Sequence, residues 1–71
     1  MNMTSAIVLC EVEDLKCRRV GWEDKFIFAH NIYYGKGRVD THIKLCDHGV
    51  IVDYQPTIED TISNDWEVVE D

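Results

Sequence analysis

The sequence predicts an α+β domain: a small antiparallel sheet of about four or five strands, an N-terminal helix packed on it, and a short helix before the last strand. Three observations predict it. An alternating apolar and aromatic run fills Lys25 to Tyr34. Two short β-branched runs flank Asp47-His48-Gly49, and Pro56-Thr57-Ile58-Glu59-Asp60 carries a helix start just ahead of a closing Trp66, Val68 and Val69.

Within residues 5–15, Val8, Val12 and Leu15 stand at i, i+4 and i+7, one face of a helix, with Thr4 or Ser5 as its cap. The β-branched content leaves a strand as the alternative. Lys16 to Val20 reads as a short extended segment broken by Gly21. In the run from Lys25, Phe26, Phe28, His30, Ile32 and Tyr34 face one way and Ile27, Ala29, Asn31 and Tyr33 the other. That is the pattern of a strand covered on both faces. Tyr34-Gly35-Lys36-Gly37 is a turn. Thr41 to Cys46 and Val50 to Tyr54 form a hairpin, in which Gly49 suits the left-handed position of a three-residue loop. Thr57 caps a helix that runs to about Ser63 or Asn64, and Asp60 imitates the acid of a capping box.

The 71 residues are expected to form one domain, residues 1–71. A chain of that size buries only roughly 60–65% of its unfolded surface, so its core is marginal. Cys10, Cys17 and Cys46 are odd in number and contain no C-x-x-C pair, which argues against a disulfide framework and for a reducing compartment. No signal peptide is read, and the longest apolar run, Ala6 to Cys10, is far below the ~20 residues of a membrane span, so no membrane partner is expected. Self-association is then the expected source of missing stability.

A formal charge of −7 argues against DNA or RNA as a general partner, since such binders need a basic face to displace counterions. All seven Lys and Arg lie between Lys16 and Lys44, while Leu45 to Asp71 holds eight acids and no Lys or Arg. A compact anion could be gripped by the first half or between subunits; the alternative is a solvated acidic surface that aids solubility.

No catalytic constellation is present: there is no phosphate loop, dinucleotide fingerprint, nucleophile elbow or zinc-protease motif. His30, His42 and His48 are scattered, Cys46 and His48 have no second pair to complete a metal site, and no cysteine sits beside a marked base. No metal and no cofactor is expected. A binding inventory remains. Trp22, Phe26, Tyr33, Tyr34, Tyr54 and Trp66 offer flat faces for a nucleobase. Arg18, Arg19, Lys25, Lys36 and Arg38 are candidates for phosphate oxygens, and the amides of Thr57 to Glu59 for a second anion. Asp60, Asn64 and Asp65 are candidates for ribose hydroxyls. The structural readings stand beside these: Trp66 as core, Thr57 and Asp60 as capping residues, and the two arginines as exposed groups on an edge strand. Trp22, after Gly21 at a turn, is expected to be half exposed.

Taken in order, Arg18-Arg19-Val20-Gly21-Trp22, Lys25, the Cys46 to Tyr54 hairpin and the Asp60 to Val69 close resemble the second Thoeris anti-defence family of phage proteins, whose relatives include an anti-CRISPR. The resemblance spans nearly the whole chain. It implies a non-enzymatic sponge in the host cytoplasm, a homo-oligomer (a tetramer, or else a dimer). Such a sponge sequesters a cyclic nucleotide signal, cyclic ADP-ribose-like or a cyclic oligonucleotide, and so keeps an immune effector inactive. Carried over by position, Trp22, Tyr54, Thr57, Asp60, Asp65 and Trp66 match family positions. With Arg18, Arg19, Lys25 and Asn64 from the inventory, the expected ligand-binding set is Arg18, Arg19, Trp22, Lys25, Tyr54, Thr57, Asp60, Asn64 and Asp65. Glu23 and Asp24 depart from the family's Asn-Gly and place two negative charges beside the expected pocket. A different function class, an acidic protein that inhibits a host nucleic-acid enzyme by imitating a phosphate backbone, is the alternative.

Overall fold

The computed structural model describes residues 1–70. The element order is α1 (Met3–Glu13), β1 (Cys17–Arg19), β2 (Lys25–Gly35), β3 (Arg38–Asp47), β4 (Val50–Asp53), α2 (Ile58–Ile62) and β5 (Trp66–Val68). The strands form one antiparallel sheet in the order β4-β3-β2-β1-β5. The α+β class, the N-terminal helix and the short helix before the last strand are as the sequence predicts.

Helix α1 differs from expectation in its cap and its face. Asn2 is the cap, its side-chain oxygen accepting from the Ser5 amide at 2.8 Å. Ala6 and Cys10 form the buried stripe, whereas Val8 and Val12 are 51% and 71% exposed. The reason is size: Ala6 and Cys10 are small enough to let the helix axis approach the sheet closely, which two valines would hold off. The core comprises Ala6, Cys10, Cys17, Ile27 and Trp66, with Leu9, Ala29, Ile43, Leu45 and Val68 packed against it. All the strand members of that set point to one face of the sheet, since directly opposed residues such as Cys17 and Ile27, Ile27 and Leu45, and Ala29 and Ile43 share a face.

The opposite face carries Phe26, Phe28, Cys46 and Ile51, and no element of the described chain lies over it. The expectation that β2 is covered on both faces therefore fails within a single chain. One helix of 11 residues covers one face only.

The Asp47–Val50 hairpin is tighter than predicted. Asp47 pairs directly with Val50, leaving a two-residue loop in which His48 (φ 52°) and Gly49 (φ 85°) are both left-handed. Two such residues give the primed turn whose twist matches the flanking strands. At the other end of the chain, β1 lies inside the sheet rather than at its edge, because β5 pairs with it through Cys17–Val68, Arg18–Glu67 and Arg19–Trp66.

Candidate functional site

Gly21, at φ 95°, turns the chain out of β1, and the Trp22 amide donates to the Arg19 carbonyl at 3.1 Å. The indole folds back on the helix side of the sheet and is half-buried there. Its ring lies 5.1 Å from that of Trp66 and 6.5 Å from that of Tyr54, at 73° and 72°. Tyr54 and Trp66 close the triangle at 6.3 Å and 78°. These edge-to-face angles set the positive rim of one ring against the negative face of another. The Lys25 ammonium sits over Trp22, 4.3 Å from its centre.

Beneath this cluster is a polar network built on a single arginine. Arg19 makes two bonds to the Asp65 carboxylate, Nε–Oδ1 at 2.9 Å and Nη2–Oδ2 at 3.2 Å. Its Nη1 also donates to Asp60 Oδ1 and Glu59 Oε1, both at 3.2 Å. Asp60, buried at 6% exposure, accepts further from the Tyr54 hydroxyl at 2.9 Å and the Thr57 amide at 3.2 Å. The Asp60 amide donates to the Thr57 hydroxyl at 3.0 Å, so both halves of the capping box are formed. The Trp66 indole N–H donates to the Asp60 carbonyl at 3.2 Å. No buried side-chain nitrogen or oxygen among the described residues lacks a partner.

The electrostatics follow. Burial pushes the Asp60 carboxyl up, but the Tyr54 hydroxyl, the Thr57 amide and Arg19 outweigh it and hold it below the usual range. Arg19 holds Asp65 below that range as well. Burial, reinforced by the Asp60 charge, raises the Tyr54 hydroxyl above its ordinary value. Away from the site, burial and the neighbouring Cys17 push the Cys10 thiol up to about 12, and burial raises Cys17 too.

The structure thus gathers Arg19, Trp22, Lys25, Tyr54, Thr57, Asp60 and Asp65 of the expected set on one side of the sheet. It separates Arg18, which points to the open face and pairs with Glu67 at 2.9 Å. Successive strand residues face opposite ways, so Arg18 and Arg19 do not converge on one anion. Nor do they lie on an edge strand, and only Arg18 is exposed: its side chain is 41% accessible, that of Arg19 14%. Asn64 is exposed, and its carbonyl accepts from the Met1 amino group at 3.1 Å. Of the amides expected to hold an anion at Thr57 to Glu59, that of Thr57 is taken by the Asp60 carboxylate in the capping box.

Sequence reasoning missed two groups. Glu59 and Glu67 bind the arginines, a pairing across 40 and 49 positions that no local pattern signals. On the open face, Lys16, Phe26, Phe28, Cys46 and Ile51 line a shallow depression of about 250 Å³, with the Lys16 ammonium 5.0 Å from the Phe26 ring centre. The period-2 alternation from Lys16 onward was the available signal for that face.

No curated protein matches the chain. Residues 1–69 match the family described as the Thoeris anti-defense 2-like domain. The order of the Gly21-Trp22 turn, the Cys46–Tyr54 hairpin and the Asp60–Trp66 close is the order in which they build the site above. The chain belongs to the Thoeris anti-defense 2-like domain family and has a phage anti-defence role.

Proposed function

We propose that the protein binds a cyclic nucleotide immune signal, of the cyclic ADP-ribose type or a cyclic oligonucleotide, and sequesters it in the host cytoplasm without cleaving it. The immune effector is then never activated. The observation that carries this reading is the Lys25 ammonium resting on the half-buried Trp22 ring. A nucleobase stacking on Trp22 displaces that ammonium, and the freed lysine reaches the phosphate that the base carries. The exchange gives up a cation–π contact of about 0.5–1 kcal/mol for a base stack of about 1–3 kcal/mol and a charge-assisted bond.

The surrounding groups favour binding over turnover. Asp60 and Asp65, held below the usual carboxylate range by their own partners, are weak bases and poor candidates for proton transfer to or from a ligand. A ligand of this class fills a site of ~300 Å³ or more, which a protomer of 71 residues supplies only together with a neighbour. The reading therefore includes a homo-oligomer, with a tetramer as the favoured form, and lysines or arginines from a second subunit offsetting Glu23 and Asp24. Holding free signal near ~10 nM requires a Kd of that order, about −11 kcal/mol.

Calorimetry with a panel of cyclic dinucleotides and cyclic ADP-ribose isomers tests it, followed by chromatography of ligand released from heat-denatured complex. The expected result is tight binding of at least one member and recovery of that ligand intact. Trp22→Ala is expected to weaken binding at least tenfold with the circular dichroism spectrum retained, and Lys25→Met to weaken it in a fold that keeps its aromatic cluster. Silence across the panel, or a cleaved ligand, refutes the reading.

A further inference from the structure

We propose that the free edge of β4 pairs, antiparallel, with β4 of a second copy of this chain about a two-fold axis at Ile51. It deepens the homo-oligomer part of the reading above by naming the edge that joins two copies, and it is argued without the nucleotide. The two edges of the sheet are unlike. At the β5 edge, Met1 bonds Trp66 in both directions, amino group to carbonyl and amide to carbonyl, each at 3.0 Å. No strand among the described residues lies beyond β4.

Apart from its shortness, the edge of β4 carries little defence against pairing. Val50-Ile51-Val52-Asp53 holds no proline, lysine or bulge, and its three apolar side chains are 60%, 61% and 46% exposed. Its one charge, Asp53, is already paired with Lys44 of β3.

Which backbone groups face outward follows from parity. The Tyr54 amide donates inward to the Ile43 carbonyl at 3.1 Å. Inward and outward groups alternate along a strand, so Val50 and Val52 also face β3, and Ile51 and Asp53 turn their N–H and C=O to the free edge.

The register then follows from the side chains. A two-fold axis normal to the sheet joins like faces, so the opposed pairs must share parity. Centring on Ile51 sets Ile51 against the partner's Ile51, Val50 against the partner's Val52, and Asp53 against the partner's Gly49. Apolar side chains meet on both faces, and no carboxylate opposes another. Centring on Val52 instead sets Asp53 against the partner's Ile51, which desolvates a carboxylate on an apolar side chain. The register centred on Ile51 is therefore the one that opposes all three apolar side chains of β4 to apolar partners. Pairing also continues the uncovered strip of Phe28, Phe26, Cys46 and Ile51 into its symmetry copy, which walls one side of the open-face depression. A domain whose fully buried hydrophobic set is Ala6, Cys10, Cys17, Ile27 and Trp66 has reason to bury more by association.

The full-length chain is tested by sedimentation and by amide hydrogen exchange at ~100 µM without nucleotide. The expected wild-type mass is at least twice the 8.3 kDa of one chain, with the Ile51 and Asp53 amides protected. Ile51→Pro removes an N–H that bonds nothing within the chain, so the β3–β4 hairpin survives while the central inter-copy bonds are lost. It is expected to halve the assembly mass and to restore fast exchange at Asp53. Ile51→Lys, which leaves the backbone intact and places two ammonium groups on the axis, is expected to do the same. A monomeric wild type, fast exchange at Ile51 and Asp53, or wild-type mass in both variants overturns the proposal. A monomeric wild type also removes the neighbour that the nucleotide site needs, whereas fast exchange at Ile51 and Asp53 in an assembly that still forms overturns this edge and leaves the Trp22 reading standing. Lost nucleotide binding in an intact assembly does the reverse.

Discussion

Replacing Tyr54 by Phe separates the two roles this side chain can have. The ring, with its edge contacts to Trp22 and Trp66, is kept; the hydroxyl that donates to Asp60 at 2.9 Å is lost. Asp60 is charged and 6% exposed, so the lost bond is of the charge-assisted kind, about 1.5–3 kcal/mol. The lower part of that range is expected, because Arg19 and the Thr57 amide still serve the same carboxylate. Set against roughly 3.5–10 kcal/mol for a whole domain of 71 residues, the loss is large. With a urea slope of about 1 kcal/mol per molar, the midpoint drops by roughly 1.5–2 M. Tryptophan fluorescence reads the transition, since both indoles contact the altered ring. As pH falls through the depressed titration of Asp60, the difference between wild type and variant narrows toward the value of a neutral hydrogen bond, about 0.5–1.5 kcal/mol. A double-mutant cycle with Asp60→Asn supplies the control. A loss under ~0.5 kcal/mol at pH 7, or a cycle with no coupling, refutes the assignment of the hydroxyl to Asp60.

Two further outcomes follow from the same network. Thr57→Ala removes the cap of α2 and is expected to cost about 1 kcal/mol in urea melts, with Thr57→Ser restoring most of it. Stability is also expected to hold a plateau bounded on both sides, checked by fluorescence across pH under reducing conditions. Asp60 and Asp65 are depressed in the fold, so their contribution is complete above the unfolded value near 3.8 and is lost as pH falls through the folded ones. Cys10, Cys17 and Tyr54 are raised, so theirs is complete below about 9 and is lost as pH climbs toward about 12 for Cys10. A melt whose midpoint is flat from pH 3 to pH 11 contradicts both assignments.

What was legible in the sequence was whatever local chemistry fixes. The capping box of Thr57 and Asp60 lies within three residues and reads directly, as does the turn at Gly21 that half-buries Trp22. The class of the fold follows from strand alternation and turn residues for the same reason. Helix α1 was misjudged because hydrophobicity favoured Val8 and Val12, whereas close packing on the sheet selected Ala6 and Cys10. The loop at His48 was misjudged by one residue because a left-handed histidine carries no strong sequence mark. The site was only half legible. Its aromatic members were found by type, but that Arg18 and Arg19 serve opposite faces depends on strand parity, and that Arg19 is consumed by Asp65 depends on a contact 46 residues away.

That last contact changes what the charge distribution means. Along the sequence, cations lie early and acids late, which suggests an acidic surface that could imitate a phosphate backbone. Folding mixes them: Arg18 meets Glu67, Arg19 meets Glu59, Asp60 and Asp65, and Lys44 meets Asp53. A mimic needs a patch of carboxylates free to meet a cationic partner, and the five acids from Asp53 to Glu67 are already matched. Among the described residues, Lys16 and Lys25 instead lie on aromatic rings rather than on carboxylates, one on each face of the sheet. A lysine held on a flat ring leaves it at little cost when a base takes its place, and it keeps its full charge for a phosphate. The fold therefore spends these five acids on structure and keeps lysine–aromatic pairs in reserve, an allocation that suits a small charged aromatic ligand better than a protein with a basic groove.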